Sequence, residues 1–203
     1  MGIQATAFAG GFSDPVFQSQ AVFRVIMDCM ARPGTIGELA IDVAPPAPMS
    51  RAQGAIALCL ADQDTPVHLT SGLASSVVPR WLAFHAGASV TTEKSSASLA
   101  FSEVDAPFPA LAAFARGSQD YPDRSTTIVA EIESLSGGTP LSISGPGITD
   151  RKTISPRSLP RLFTTLWGEN RSLFPRGVDL VLTSGDACLC LPRSVRIVSE
   201  EQA

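Results

Sequence analysis

An α/β domain spanning residues 1–203, with a mixed sheet and helices packed on it, is the fold class the sequence predicts. Three observations carry that expectation. Strand-like and helix-like segments are interspersed along the chain. Several neighbouring strand segments are joined too tightly to run parallel. A chain of 203 residues with a 44% hydrophobic fraction is also long enough for one sizeable core, since a domain of this size buries roughly 70% of the surface its unfolded chain exposes.

The first helix is expected from Asp14 to about Ala31. Asp14 can cap exposed amides and Pro15 suits the first helical position. Phe23, Met27 and Met30 recur at helical spacing and are expected to face the core. Pro33-Gly34 stops the helix. Residues 43–48 form a proline-rich loop that cannot be regular structure. A second helix is expected from near Ser50, carrying Ile56, Leu58 and Leu60. A turn at residues 62–66 leads to a short strand over Val67–Thr70. Leu82–His85 is a short apolar run and a possible strand, and Ala97–Phe101 is another. A helix near Pro109–Phe114 and a polar loop over residues 117–123 follow.

Thr126–Leu135 alternates, with Ile128, Ala130 and Ile132 opposite Val129, Glu131 and Glu133. Gly137-Gly138 then predicts a turn into an antiparallel partner at Leu141–Ser144. Leu159, Leu162, Phe163, Leu166 and Trp167 form a stripe at i, i+3, i+4, i+7 and i+8, which predicts a core-facing helix. Val178–Leu182, Ala187–Leu191 and Val195–Val198 read as closing strands.

Composition excludes several function classes. A formal net charge of -4, with no basic tail, argues against nonspecific nucleic-acid binding. No apolar run approaches the length of a membrane span. The first residues lack a basic region followed by a long apolar stretch, so a cytoplasmic chain with reduced thiols is expected. Cys188 and Cys190 alternate with leucines in strand patterning, and Cys29 and Cys59 fall in separate helices, so buried core thiols rather than metal ligands are expected. His68 and His85 lie in no zinc-ligand pattern, and no phosphate-binding or dinucleotide glycine loop occurs. No metal and no cofactor is expected; Lys94 and Lys152, the only lysines, both lie in polar surroundings unsuited to an internal imine.

Thirteen of the fifteen basic residues are arginine, whose planar fork suits carboxylates, phosphates and protein interfaces alike. Asp123 and Arg124 lie in the polar loop with Asp120 and Ser125. Arg176 and Asp179 bracket Gly177-Val178, and Arg193 follows Pro192 at a strand end. These groups are candidates for anion binding or for a subunit interface. Pairing with nearby acids or water is the simpler reading, and sequence leaves the choice open.

The same segments carry a family likeness. The pieces are Phe12-Ser13-Asp14-Pro15, Ser19-Gln20, Phe23-Arg24, Met30-Ala31-Arg32-Pro33-Gly34 and Leu60-Ala61-Asp62-Gln63-Asp64-Thr65-Pro66. Phe84-His85-Ala86-Gly87, Tyr121-Pro122-Asp123-Arg124-Ser125-Thr126-Thr127 and Gly145-Pro146-Gly147-Ile148 follow. Phe174-Pro175-Arg176-Gly177-Val178-Asp179 and Leu191-Pro192-Arg193-Ser194 complete the set. In this order, over nearly the full length, the chain resembles the H-subunit family of the bacterial carbon–phosphorus lyase core complex.

The resemblance implies a fold similar to the large domain of pyridoxal-phosphate-dependent transferases, without that cofactor. It implies a homodimer that joins the G, I and J subunits. It also implies an accessory role in transferring the ribose triphosphate moiety of ATP to an alkylphosphonate. Arg176 departs from a position that is commonly small or neutral in the family. The alternative from another class is a stand-alone module or enzyme acting on a phosphate ester or nucleotide through its loop arginines.

Overall fold

A computed structural model describes residues 7–40 and 42–199. Its main feature is a seven-stranded sheet in the order β1-β9-β8-β5-β4-β2-β3. The strands are β1 (Ile36–Glu38), β2 (Val67–Leu69), β3 (Val90–Thr91), β4 (Leu99–Ser102), β5 (Thr127–Glu131), β8 (Asp179–Ser184) and β9 (Ala187–Leu191). The run β3-β2-β4-β5-β8 is parallel, whereas β9 is antiparallel to both β8 and β1. The expected mixed sheet is therefore present.

A second sheet holds β6 (Leu141–Ser144), β7 (Lys152–Ile154) and β10 (Arg196–Ser199), in the order β10-β6-β7 and wholly antiparallel. The expected pairing of residues 126–135 with 141–144 does not form. Ile128, Val129 and Ala130 at the centre of β5 are buried on both of its faces, which suits a central parallel strand and not a hairpin arm. The chain instead leaves the large sheet after β5, and β6 pairs with β10 and β7.

Alternation on the central strands builds two cores. Phe101, Val129, Val181, Cys188 and Cys190 point to one face. Ala100, Ile128, Leu180, Leu182, Leu189 and Leu191 point to the other. The first face is covered by α1 (Pro15–Ala31), α2 (Arg51–Leu60), α3 (Ser71–Ala74) and α4 (Val78–Ala86). The second is covered by the small sheet and α5 (Phe163–Ser172).

Helix α1 begins where the sequence places it, with the Asp14 carboxylate accepting from the Phe17 amide at 3.3 Å. Its buried stripe differs from the expected one. Val22, Ile26 and Cys29 face the core, while Phe23 and Met27 are half exposed and Met30 is partly buried. Two stripes share this helix at helical spacing. Gly37 of β1 lies against the buried side, where a Cβ would stand 2.6 Å from both Cys29 Sγ and Val25 Cγ1. Only a bare backbone lets that side of α1 come so close.

Helix α2 carries a capping box, Ser50 with Gln53, and the proline-rich loop before it is irregular. Leu82–His85 is helical and not a strand. Pro79 sits in the first turn of α4, and Gly87 ends it with φ 68°, a left-handed cap natural to glycine. The segment near Pro109–Phe114 is only a 3-10 turn at Leu111–Ala113.

Helix α5 is shorter than the apolar stripe predicts. Leu159 and Leu162 precede it, and Leu162 is 67% exposed. Phe163 and Trp167 are its core anchors, and the Trp167 indole N–H donates to Val195 O at 2.9 Å. Asn170 holds both polar groups of Val178, donating to its carbonyl at 3.0 Å and accepting from its amide at 2.9 Å.

Candidate functional site

Open α/β sheets take ligands beyond the carboxyl ends of their parallel strands, where strand order reverses. In this chain that reversal falls between β2 and β4. Glu103, just past β4, fills it. Its carboxylate accepts from the Thr70 hydroxyl and, at 3.0 Å, from the Gly72 amide at the start of α3. A Cβ on Gly72 would lie 2.4 Å from Glu103 Oε1, so glycine is required for this contact.

One strand pair further along, Glu131 ends β5. It accepts from Ser50 Oγ at 2.6 Å, Thr183 Oγ1 at 2.5 Å and the Gly185 amide at 3.0 Å. Buried Gln53 lies between the two carboxylates and donates to Ser102 O at 2.9 Å. The start of α2 thus sits on the sheet edge, where its dipole favours the nearby carboxylate. Both carboxylates at this edge are thus engaged by donors of the chain itself.

The residues singled out from sequence lie at the opposite edge, where β5 and β8 begin and β9 ends. Asp179 and Arg193 are brought together. The Asp179 carboxylate accepts from the Arg193 backbone amide at 2.8 Å and from Nε at 3.1 Å, and the pair is closed by a further contact through Nη2. Arg193 Nη1 donates to Pro122 O at 2.5 Å, which pins the polar loop. Arg124 lies over the Tyr121 ring with its guanidinium carbon 4.1 Å from the centroid. Asp123, Arg124 and Arg176 are exposed. Among the described residues, the Asp123 and Arg176 side chains have no hydrogen bond or ion pair.

Helix α5 is flanked by concave surface that the sequence did not single out. A groove of about 770 Å³ lies at its start, between the residues 138–141 and 156–165. Arg157 and Arg161 line it with the hydroxyls of Ser158, Thr164 and Thr165, over an apolar wall that includes Leu141, Leu159 and Phe163. Arg157 is tied to Glu133 at 3.1 Å, and Ser158 Oγ donates to the same carboxylate at 3.0 Å. These contacts hold the Glu133 carboxyl below its ordinary range, Arg157 first and Ser158 second. A smaller hollow of about 390 Å³ at the other end of the helix includes Arg171 and Arg196.

Cys29, Cys188 and Cys190 are buried, as expected of core thiols, and Cys59 is half-buried. The sequence reading kept Cys29 apart from the strand pair, but the fold brings it to them. Hydrogen bonds from Cys188 and Cys190 lower the Cys29 thiol. Burial pushes the Cys59 thiol up to about 11. Among the described residues, no group of three or more His, Cys, Asp or Glu side chains is arranged to hold a metal. Lys152 donates to Thr35 Oγ1 at 3.0 Å from β7, and Lys94 lies over the Phe114 ring, so neither faces the edge at Glu103 and Glu131. No helix among the described residues is long and apolar enough to cross a membrane.

Residues 10–198 match the family described as bacterial phosphonate metabolism protein (PhnH). The chain belongs to this family. Its role in phosphonate metabolism follows from that membership. The chain is also 52% identical, over 98% of its own length and 100% of the relative's, to the alpha-D-ribose 1-methylphosphonate 5-triphosphate synthase subunit PhnH of Rhizobium meliloti. A second relative is protein HtxG of Stutzerimonas stutzeri, described provisionally as a C-P lyase subunit. It is 31% identical over 40% of this chain and 42% of that protein.

Proposed function

We propose that this chain is an accessory subunit of the carbon–phosphorus lyase core complex, supporting transfer of the ribose triphosphate moiety of ATP to an alkylphosphonate. The full-length 52% identity to the Rhizobium meliloti synthase subunit carries this reading. The Glu103 and Glu131 carboxylates at the sheet edge accept from internal donors, which supports a structural use of that edge. The proposal includes a single domain over 1–203, a cytoplasmic location, and the fold of a pyridoxal-phosphate transferase large domain that works without the cofactor. The seven-stranded mixed sheet supports that last point, and superposition on such a domain tests it. Deleting the gene and growing the host on methylphosphonate as sole phosphorus source tests the role. Loss of growth, restored by the intact gene, is expected; undiminished growth rules it out.

The expected partners are a second copy of the chain and the G, I and J subunits. Val16, Phe23 and Met27 form an exposed stripe on α1, and such apolar surface supports association. Sedimentation equilibrium is expected to give twice the 21.2 kDa chain mass, and a single species at the chain mass at all concentrations removes the homodimer. Exposed Asp123, Arg124 and Arg176 are proposed as contacts to another subunit or an anion. The Asp179–Arg193 pair shapes the loop that presents Asp123 and Arg124.

A further inference from the structure

We infer that the groove at the start of α5 binds a phosphate ester with an organic portion, its phosphate held by Arg161 and Arg157 and its organic part resting on the apolar wall. The groove volume of about 770 Å³ falls within the roughly 300–1,000 Å³ of small-molecule sites. Its lining divides as such a ligand requires. Guanidinium and hydroxyl groups come from Arg157, Ser158, Arg161 and Thr164, while Leu141, Leu159 and Phe163 supply apolar surface. Arginine forks match phosphate oxygens in pairs.

The two arginines differ in a useful way. Arg157 is already oriented by Glu133, 3.1 Å away, and by its reach to Gly137 O at 3.4 Å. Arg161 is exposed and has no partner among the described residues, so its full charge is available to a ligand. Arg157 and Arg161 are the charged residues that line the groove, and Glu133 beside it balances the first and leaves the second uncompensated. A concave, partly apolar surface with one uncompensated guanidinium fits a small phosphorylated molecule better than a flat acidic protein face. This inference stands on the groove alone and does not depend on membership of the larger complex.

The test is a titration of the isotope-labelled full chain followed by amide NMR, with inorganic phosphate, phenyl phosphate and phenol as probes. Phenyl phosphate is expected to shift amides of residues 138–141 and 156–165 in a saturable manner, and to bind more tightly than inorganic phosphate. Arg161→Glu is expected to weaken phenyl phosphate at least tenfold. Arg80→Glu, on exposed surface of α4, is expected to leave it unchanged. Preserved dispersion of the remaining amides shows that each variant is folded. Absence of saturable shifts in the groove overturns the inference, as does equal weakening by both variants or equal binding of phenol and phenyl phosphate.

Discussion

The carboxyl edge of the large sheet and the groove beside α5 are both polar, but one is closed and the other open. At the edge, Glu131 meets three donors and Glu103 meets two, all from the protein itself. At the groove, Arg157 and Ser158 meet Glu133, but Arg161 meets no partner among the described residues. Polar groups that satisfy one another stabilise the fold and leave little for a ligand to gain. Groups left in water beside an apolar wall have that capacity still unused. Position in the fold alone points to the first region; hydrogen-bond accounting points to the second.

The largest effect expected comes from the support of the open region. Trp167 is fully buried and anchors α5 against the small sheet. Trp167→Ala is expected to cost about 3–5 kcal/mol in denaturant unfolding, from lost packing and the cavity left behind. A loss under about 1 kcal/mol would show that the groove wall does not rest on this anchor.

Next comes the closed edge. Glu131→Gln removes the charge from three hydrogen bonds and replaces one acceptor oxygen with a donor facing them. A loss of about 1.5–3 kcal/mol is expected by the same measurement. An unchanged midpoint would mean that the edge is not the closed structural network described. Arg161→Glu belongs to the opposite class and is expected to change stability by no more than about 0.5 kcal/mol. A large loss there would assign Arg161 a structural role and erase the contrast.

The smallest effect is a local pH response. The Glu133 carboxyl is held low by Arg157 and Ser158. Its contacts therefore favour the folded state above the ordinary carboxylate range and are lost as pH falls through the depressed value. Carboxyl carbon NMR is expected to show Glu133 titrating below an ordinary glutamate, and Arg157→Ala is expected to raise that midpoint. An ordinary midpoint in the unaltered chain would break the link between Glu133 and the groove.

Much of the fold was legible because local patterns matched global ones. Asp14-Pro15 starts the first helix where it is read, the second helix starts at Ser50, and the segments Val178–Leu182 and Ala187–Leu191 fall in the paired strands β8 and β9. The failures have physical causes. On α1, two apolar stripes at the same spacing compete, and tertiary packing, including the close approach of the distant Gly37, buries one of them. The short apolar run at Leu82–His85 has no period long enough to separate helix from strand. The β5–β6 separation was missed because Thr127 and Glu131 share a face with Val129, which gives β5 the alternation of a hairpin arm although its central residues are buried on both faces.

Of the candidate site, sequence located Asp179 and Arg193, whose contact across a strand pair is a tertiary fact. It missed Glu131 and Glu103, because the strand ends that place them at one edge are set by the fold. It also missed Arg157 and Arg161, because a groove joining residues 138–141 to 156–165 has no one-dimensional trace.

The central claim is that this chain works as a subunit in phosphonate metabolism, and affinity purification from the native host tests it most directly. The chain is tagged at its chromosomal locus, the cells are starved of phosphate, and the eluate is identified by mass spectrometry. The account predicts that the G, I and J subunits elute with it in fixed proportion through size-exclusion chromatography. Recovery of the tagged chain with none of them, from cells shown to express all three, would contradict it.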